Sequence, residues 1–270
     1  MSKSANAPYR LTVLVTGASG GIGRDLARLF AAAGHHLLLV ARNAAALDEL
    51  GAELSAAHGI RVIPIPADLT DPVAPAAVHH AARELGAEVD VLVNNAGYGL
   101  YGRFAETDIE TELRMIQLNV AAVTHLTKLF LPPMLTRRSG RILNVASTAG
   151  FQPGPLMAVY YATKSYVLSF SEALAEELAG SGVTVTTLAP GATRTGFQAR
   201  ANVDESRLFR GPTVMDSQAV ACAGYEGLMR GERIVVPGLV NKALVQALRL
   251  GPRTLVTRII KAANDRRRRA

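Results

Sequence analysis

Short, continuously apolar segments alternate with helical patterns along most of this chain, and this alternation limits the folds open to it. The apolar segments read as buried strands over residues 11–17, 35–42, 61–69, 90–97, 141–147, 183–190 and 233–238. Helical patterns lie between them, near residues 24–34, 43–58, 71–86, 108–131, 157–180 and 216–230. Strands that are apolar on both faces and separated by helices indicate a parallel sheet covered on both sides. The sequence therefore predicts an α/β fold with a doubly wound parallel sheet.

The last part of the chain has a different pattern. Residues 239–270 read as two amphipathic helices that are broken at Gly251-Pro252 and followed by Arg266 to Arg269. We therefore predict a single doubly wound domain over residues 1–238 and a C-terminal helical extension over residues 239–270.

Composition excludes several classes of protein. Apolar residues make up 49% of the chain, which is enough for a large core. The single cysteine, Cys222, excludes a disulfide framework and a cysteine-rich zinc site. The histidines have no metal-ligand spacing, so we predict no metal. The start "MSKSANAPYR" lacks the apolar region of a signal peptide, and no segment has the roughly 20 apolar residues that cross a bilayer. We expect a soluble, cytoplasmic protein.

The formal charge of +7 is concentrated at one end of the chain. The run Arg266 to Arg269 supplies a large part of it, and no basic groove with interleaved aromatic residues is present. We therefore expect no nucleic-acid partner. The basic tail is interpreted either as a solvated end or as a weak contact with acidic lipid or an acidic partner.

A glycine-rich turn follows the first predicted strand directly. In "TGASGGIGR" (16–24), Gly17, Gly21 and Gly23 let the backbone turn tightly and approach a ligand closely. The next helix offers its free N–H groups and the positive end of its dipole to a phosphate. The spacing is neither that of the common dinucleotide fingerprint nor that of a Walker A loop. Its place between the first strand and the first helix indicates a Rossmann-like dinucleotide site.

The end of the second strand bears on which dinucleotide is bound. NAD sites usually place an acidic residue there for the ribose 2′-hydroxyl. Here Ala41 ends the strand and Arg42 follows, and a guanidinium suits a 2′-phosphate. We therefore predict NADP(H), with a surface arginine at the start of a helix as the alternative.

The segment "VYYATKSY" (159–166) places two tyrosines near a lysine. On a helix, Tyr160 and Lys164 share one face at i and i+4, whereas Tyr161 is at i−3 from the lysine. A cation near a phenol favours the phenolate and lowers its pKa from about 10 toward working pH. Helical spacing alone leaves both tyrosines possible.

Four segments in this order resemble the short-chain dehydrogenase/reductase family: "TGASGGIG", "NNAG" (94–97), "YYATKS" and "PGATRT" (190–195). The likeness extends from about residue 10 to residue 238. It implies hydride transfer between NADP(H) and a small-molecule carbonyl or secondary alcohol. Tyr160 matches the family's proton donor, and Lys164 matches the residue that holds the nicotinamide ribose and lowers the tyrosine pKa. Tyr161 falls at a variable position, where we expect a packing role.

The resemblance implies further roles for three polar residues. Ser147 matches the serine that hydrogen-bonds the substrate oxygen, with a helix cap or turn as the alternative. Asn119 matches a mid-helix asparagine that anchors a water leading to the lysine, with a satisfied buried amide as the alternative. Asp68 matches the acid near the adenine ring, with an N-cap of the next helix as the alternative. The cofactor contacts implied by the resemblance are Gly17, Ser19, Gly20, Gly21, Ile22, Gly23, Arg42, Asp68, Leu69, Asn95, Ala96, Gly97, Lys164, Pro190, Gly191, Thr193 and Thr195.

Substrate specificity is expected from the segments outside these motifs. Residues 196–216 have little strand or helix pattern and are interpreted as a lid, with Phe197, Leu208 and Phe209 as an apolar inner side or as ordinary loop packing. Three uses are open for the extension after residue 238: covering the substrate cleft, joining a dimer interface, or lying on a membrane. The resemblance also implies a homodimer or homotetramer, paired through the helices at 108–131 and 157–180.

Other functions fit parts of the pattern. A catalytically silent NADP-binding scaffold would usually lack part of the set Asn119, Ser147, Tyr160 and Lys164, and all four are present. A ketoreductase acting on acyl-carrier thioesters belongs to the same family and shares every motif. A nucleotide-sugar epimerase shares the tyrosine–lysine pair but has a different glycine spacing.

Overall fold

The computed structural model describes residues 10–197, residue 201 and residues 214–265. Its strands are β1 (Thr12–Thr16), β2 (His36–Ala41), β3 (Val62–Pro66), β4 (Val91–Asn94), β5 (Gly140–Val145), β6 (Val183–Leu188), β7 (Thr193–Arg194), β8 (Met215–Asp216) and β9 (Ile234–Val235). One parallel sheet has the order β3-β2-β1-β4-β5-β6-β9, and β7 pairs separately with β8. The predicted parallel sheet is confirmed.

Helices flank the sheet on both faces. They are α1 (Gly21–Ala32), α2 (Ala44–His58), α3 (Ala74–Glu84), α4 (Ile109–Ile116), α5 (Ala122–Arg137), α6 (Ala158–Glu177), α7 (Ser217–Arg230), α8 (Leu239–Leu250) and α9 (Arg253–Asn264). A π-helical turn, Gln117–Ala121, joins α4 to α5, and a 3-10 turn, Thr148–Phe151, follows β5.

The core has two parts because successive side chains of a strand point to opposite faces. Val13 and Val15 of β1 pack with Phe30 of α1 on one face of the sheet. Leu14, between them in sequence, packs with Leu126 of α5 on the other face. Burial on both faces explains why the strands are apolar without alternation.

The strand order reverses beside β1, and this reversal determines where a ligand site forms. The chain passes from β1 outward to β2 and β3, then returns to place β4 on the other side of β1. A crevice opens at the carboxyl ends of β1 and β4, the usual ligand site of open α/β sheets. The glycine-rich turn and residues 95–97 both lie there.

The helical pattern predicted over residues 108–131 is more complex than a single helix. It begins as α4, passes through the π-helical turn and continues as α5 to Arg137. Pro132 and Pro133 lie inside α5, although proline usually ends a helix. Phe130 and Met134 are buried on either side of the prolines, so packing outweighs this local preference.

The C-terminal extension forms the two predicted helices, α8 and α9, separated at Gly251-Pro252. The division into two parts at residue 238 stays a prediction. Arg266 to Arg269 lie outside the described residues, so lipid contact through them also stays a prediction. Within the described part of the chain, no helix has both the length and the apolar character needed to span a bilayer.

Among the described residues of the segment predicted to be irregular, 196–216, Met215 and Asp216 form a short strand. Met215 and Asp216 pair with Thr193 and Arg194 as parallel strands, a pairing too short to show in the sequence pattern. Leu208 and Phe209 of the predicted lid lie outside the described residues.

Candidate active site

Helix α6 places Tyr160 and Lys164 close together, and both residues are buried. The Lys164 side chain is buried, and its Nζ donates a hydrogen bond to the Val145 carbonyl oxygen at 2.8 Å. The same nitrogen lies 5.9 Å from the centre of the Tyr160 ring. The i, i+4 spacing places both side chains on one face of α6, as predicted, and the fold brings Lys164 to the carboxyl end of β5.

Ser147 follows β5 and connects several parts of the site. Its Oγ accepts a hydrogen bond from the Ala149 N–H at 3.1 Å and donates to the Pro190 carbonyl oxygen at 3.3 Å. It also interacts with the Tyr160 hydroxyl and acts to lower its pKa. Ser147 therefore caps the following turn and contacts the tyrosine at once, so the two interpretations of this residue are compatible.

Burial sets the ionisation of the tyrosine and the lysine. Burial raises the pKa of Tyr160 well above its usual value, and the interaction with Ser147 only partly offsets it. Burial also lowers the pKa of Lys164 to about 8. The sequence predicts a lowered tyrosine pKa, and the structure shows the opposite direction. The physical reason is that the low-dielectric surroundings of Tyr160 disfavour its phenolate form. The Lys164 ammonium donates its hydrogen bond to the Val145 carbonyl oxygen. At neutral pH the phenol holds its proton and the lysine is mostly charged.

Tyr161 has different partners from Tyr160. Its hydroxyl donates to Oδ1 of Asn264 in α9 at 3.2 Å, and its ring meets the Tyr160 ring edge-on with centroids 6.0 Å apart. Burial raises the pKa of Tyr161, with the hydrogen bond to Asn264 opposing it. The structure therefore separates the two tyrosines, since only Tyr160 contacts Ser147.

Asn119 lies in the π-helical turn between α4 and α5. Its amide donates to the Tyr98 carbonyl oxygen at 2.9 Å and to Thr163 Oγ1 at 3.1 Å, and its Oδ1 accepts from the Tyr98 N–H at 3.2 Å. A Cβ at Gly97 would lie 3.0 Å from Asn119 Oδ1 and 3.5 Å from Lys164 Nζ. The side chains of Asn119 and Lys164 thus approach the same backbone position. A π-helical turn often marks a functional site.

The glycine-rich turn has the shape of a phosphate cradle. Gly17 and Gly21 have φ angles of 67° and 54°, in the region that favours glycine. A Cβ at Gly23 would overlap the Gly17 carbonyl and the Asn95 amide. Helix α1 starts at Gly21 and has no side-chain cap, so its first N–H groups face the opening. A dinucleotide phosphate fits this turn.

The other residues predicted to contact the cofactor differ in their burial and in their contacts. The Asn95 side chain is used within the protein, because its Nδ2 donates to the Thr16 carbonyl oxygen at 2.9 Å and so fixes the turn. Leu69 is buried in the core on one face of the sheet, and Ile22 packs against the core on the other face. Thr195 lies against Gly21 and brings the segment 190–195 to the cradle. The remaining predicted positions, Ser19, Gly20, Ala96, Pro190, Gly191 and Thr193, lie in the turn, after β4 or after β6.

Two arginines and one aspartate lie near the carboxyl ends of β2 and β3. Arg42 is exposed directly after β2, and Arg114 of α4 lies 4.0 Å from Asp68. Burial acts to raise the pKa of Asp68, but hydrogen bonds from Thr70 and the charges of Arg42 and Arg114 lower it below its usual value. The N-cap alternative for Asp68 is wrong, because α3 begins after Val73 without a side-chain cap. Sequence reasoning missed Arg114, which only the fold brings close to Asp68.

Apolar side chains line the space beside Tyr160. The buried members of this cluster are Met115, Ala149, Met157, Tyr160, Tyr161, Ala201, Val256 and Ile260. Phe197 packs against them, with its ring centre 5.3 Å from that of Tyr160. Sequence reasoning left this contribution of α9 open among three uses, because an amphipathic pattern does not tell which surface the helix covers.

This combination of a doubly wound sheet, a glycine-rich first turn and a buried tyrosine–lysine pair is the arrangement of a Rossmann-type oxidoreductase. The chain belongs to the short chain dehydrogenase family, whose model matches residues 11–206. Among curated relatives, dehydrogenase/reductase SDR family member 7B from Bos taurus is 36% identical over 194 residues. That match spans 70% of this chain and only 60% of the relative's length.

Solved structures resemble the chain over nearly its whole length. A short-chain dehydrogenase from Sphingobium yanoikuyae in complex with NADPH has a TM-score of 0.81 and 37% identity, covering 96% of this chain and 98% of that one. A bulky-bulky ketone specific alcohol dehydrogenase from Comamonas testosteroni has a TM-score of 0.75 and 32% identity, covering 90% and 95%. A family member from Burkholderia phymatum in complex with NAD has a TM-score of 0.80 and 27% identity, covering 95% and 97%.

Proposed function

We propose that this oxidoreductase reduces a ketone or aldehyde, or oxidises the matching secondary alcohol, with NADP(H). The observation that carries the proposal is a buried, protonated Tyr160 with Lys164 Nζ 5.9 Å from its ring centre and Ser147 acting on its hydroxyl. The cradle at Gly17 and Gly23 fits a dinucleotide, which supplies the hydride when bound.

The roles of the side chains follow from their positions. Ser147 and Tyr160 donate hydrogen bonds to the substrate oxygen, which gains negative charge during reduction. Tyr160 then gives its proton to that oxygen. Lys164, charged at neutral pH, stabilises the phenolate that this transfer leaves behind. Asn119 keeps the π-helical turn and Tyr98 in place beside the lysine.

The proposed preference for NADP(H) rests on charge. Arg42 and Arg114 both lower the pKa of Asp68, so two guanidinium groups lie near the residue expected to contact the adenine ring. Guanidinium groups bind phosphate oxygens well. The Sphingobium yanoikuyae structure contains NADPH, and the Burkholderia phymatum structure contains NAD, so both cofactors occur among similar folds.

The proposed substrate is apolar and bulky on at least one side of its carbonyl. The apolar cluster that contains Tyr160 also includes Met157, Val256 and Ile260, with Phe197 packed against it, and these side chains offer no charge to a polar substrate. The similar Comamonas testosteroni enzyme is described as specific for bulky-bulky ketones. The alternative substrate within this family is an acyl thioester. A direct assay with both classes of substrate distinguishes the two.

The test is consumption of NADPH by the purified protein against a panel of ketones, aldehydes and acyl thioesters. We expect turnover with aryl ketones and little with short polar carbonyl compounds. Absence of NADPH oxidation with every member of the panel, in protein that binds NADPH, would support a silent binding scaffold instead.

A further inference from the structure

Helix α9 presents one stripe of residues to the active site. Val256, Ile260 and Asn264 follow each other at intervals of four residues, and all three are buried. Leu255 and Ile259, on another face of the helix, are exposed. Val256 and Ile260 belong to the apolar cluster around Tyr160. This stripe therefore packs α9 against the apolar cluster that contains Tyr160.

Asn264 is a polar side chain within this otherwise apolar contact. Its Oδ1 accepts the hydrogen bond from the Tyr161 hydroxyl at 3.2 Å, and its Nδ2 donates to the Pro155 carbonyl oxygen at 2.9 Å. A buried amide is costly unless both its ends are hydrogen-bonded. Any other rotation or shift of α9 would leave the amide and the Tyr161 hydroxyl without these partners. The pair therefore fixes α9 in one position.

The segment that Asn264 contacts is itself closely fitted to Tyr161. A Cβ at Gly154 would overlap the Tyr161 ring, so the ring lies directly on this backbone. Leu156 has a φ of 70°, a conformation that is uncommon outside glycine and that persists where its surroundings hold it. Met157, the next residue, is part of the apolar cluster beside Tyr160. Asn264 thus joins α9, Tyr161 and the start of α6.

We infer that the Tyr161–Asn264–Pro155 contact is a latch that positions α9 and so determines which ketones the site accepts. Tyr161 and Asn264 are positioning residues for specificity and take no part in proton transfer. This inference rests on the proposed function, because it assigns a wall to the substrate space of that reaction. When the latch is formed, Val256 and Ile260 contact the part of a bulky ketone that points away from the cofactor cradle.

The latch is tested first by amide hydrogen exchange, which needs no turnover. Tyr161→Phe removes only the hydroxyl, and we expect the amides of α9 to exchange about tenfold faster. Tyr166→Phe is the matched control, because it makes the same change in the same helix, where the hydroxyl instead pairs with Thr124 at 2.9 Å. Equal protection of α9 in the two variants would overturn the latch.

The effect on specificity is tested by binding and by kinetics. Calorimetry with oxidised NADP present measures the affinity for benzophenone and for cyclohexanone, whether or not they are turned over. In Tyr161→Phe and Asn264→Leu we expect a roughly tenfold weaker affinity for benzophenone, a matching rise in its KM, and kcat within a few-fold of wild type. Affinity for cyclohexanone should not change.

The outcomes separate the latch from the proposed function. Unchanged affinity for benzophenone with a loosened α9 would overturn the specificity role, as would a wild type that does not bind benzophenone. A wild type that binds benzophenone selectively but consumes no NADPH would contradict the proposed reaction and leave the latch supported.

Discussion

At the scale of single residues, two adjacent tyrosines show how sequence neighbours take different roles. The Tyr160 hydroxyl interacts with Ser147, whereas the Tyr161 hydroxyl donates a hydrogen bond to Asn264. Helical spacing allows both tyrosines near Lys164, so the partner residues distinguish them. Asn264, the partner of Tyr161, lies over a hundred positions further along the chain, so no local sequence pattern predicts this contact.

The buried Lys164 predicts a pH dependence of stability. Its pKa falls from 10.5 to about 8 on folding, so between these values the unfolded chain binds more protons and stability rises with pH. Tyr160, with a raised pKa, acts in the opposite direction only above about pH 10. Between pH 8 and 10 we expect the free energy of unfolding to rise more steeply in wild type than in Lys164→Met. Urea denaturation at several pH values measures this difference, and parallel curves would contradict it.

The Arg42 side chain predicts the choice of dinucleotide. Arg42→Ala should weaken NADPH binding at least tenfold and leave NADH binding nearly unchanged, because only NADPH carries the 2′-phosphate. Isothermal calorimetry with both cofactors measures this, and Arg28→Ala, which removes an exposed arginine paired with Glu53, serves as the control. Equal affinity of the wild type for the two cofactors would contradict the assignment.

At the scale of elements, the sequence predicts the sheet, the glycine-rich turn and most helices within a few residues, because burial on both faces imposes continuous apolar strands. It does not predict the continuation of α5 through Pro132 and Pro133, which depends on core packing. Nor does it predict the π-helical turn at Asn119 or the packing of α9 beside Tyr160. Both depend on contacts between distant segments. The same limit explains why Arg114 was missed and the pKa of Tyr160 was predicted in the wrong direction.

The turn between β1 and α1 gives a prediction with an internal control. Gly23→Ala should lower the free energy of unfolding by about 1–3 kcal/mol, because the new Cβ overlaps the Gly17 carbonyl and Asn95. Gly20→Ala should leave stability nearly unchanged, since no atom lies within 4 Å of its Cβ position and its φ of −174° suits any residue. Chemical denaturation of both variants measures the difference. Equal stability of Gly23→Ala and Gly20→Ala would contradict tight packing of this turn.

At the scale of the whole molecule, exposed apolar residues on α4 and α6 support the expected pairing of subunits. Ile109, Leu113 and Ile116 of α4 and Tyr166 of α6 are exposed. We propose that these helices meet their copies across a two-fold axis. Leu113→Glu should then give monomers in sedimentation velocity, whereas Leu255→Glu, on the exposed face of α9, should not. A wild type that is monomeric at micromolar concentration would contradict this pairing.

The contacts of the C-terminal extension favour one of its three expected uses. Val256 and Ile260 of α9 belong to the buried apolar cluster that contains Tyr160, so we propose that this helix covers the candidate active site within the same chain. A truncation before Arg253 should therefore expose the apolar cluster that contains Tyr160 to solvent.

The most direct test of the central claim is the rate of NADPH oxidation by Tyr160→Phe with a ketone that the wild type reduces. The substitution removes the hydroxyl that interacts with Ser147 and keeps the buried ring. General acid catalysis contributes about 10²–10⁴-fold, and we expect kcat to fall by at least that amount while NADPH affinity is retained. Tyr161→Phe should keep kcat within a few-fold of wild type. Wild-type turnover in Tyr160→Phe, or loss of turnover in Tyr161→Phe alone, would contradict the assignment of Tyr160 as the proton donor.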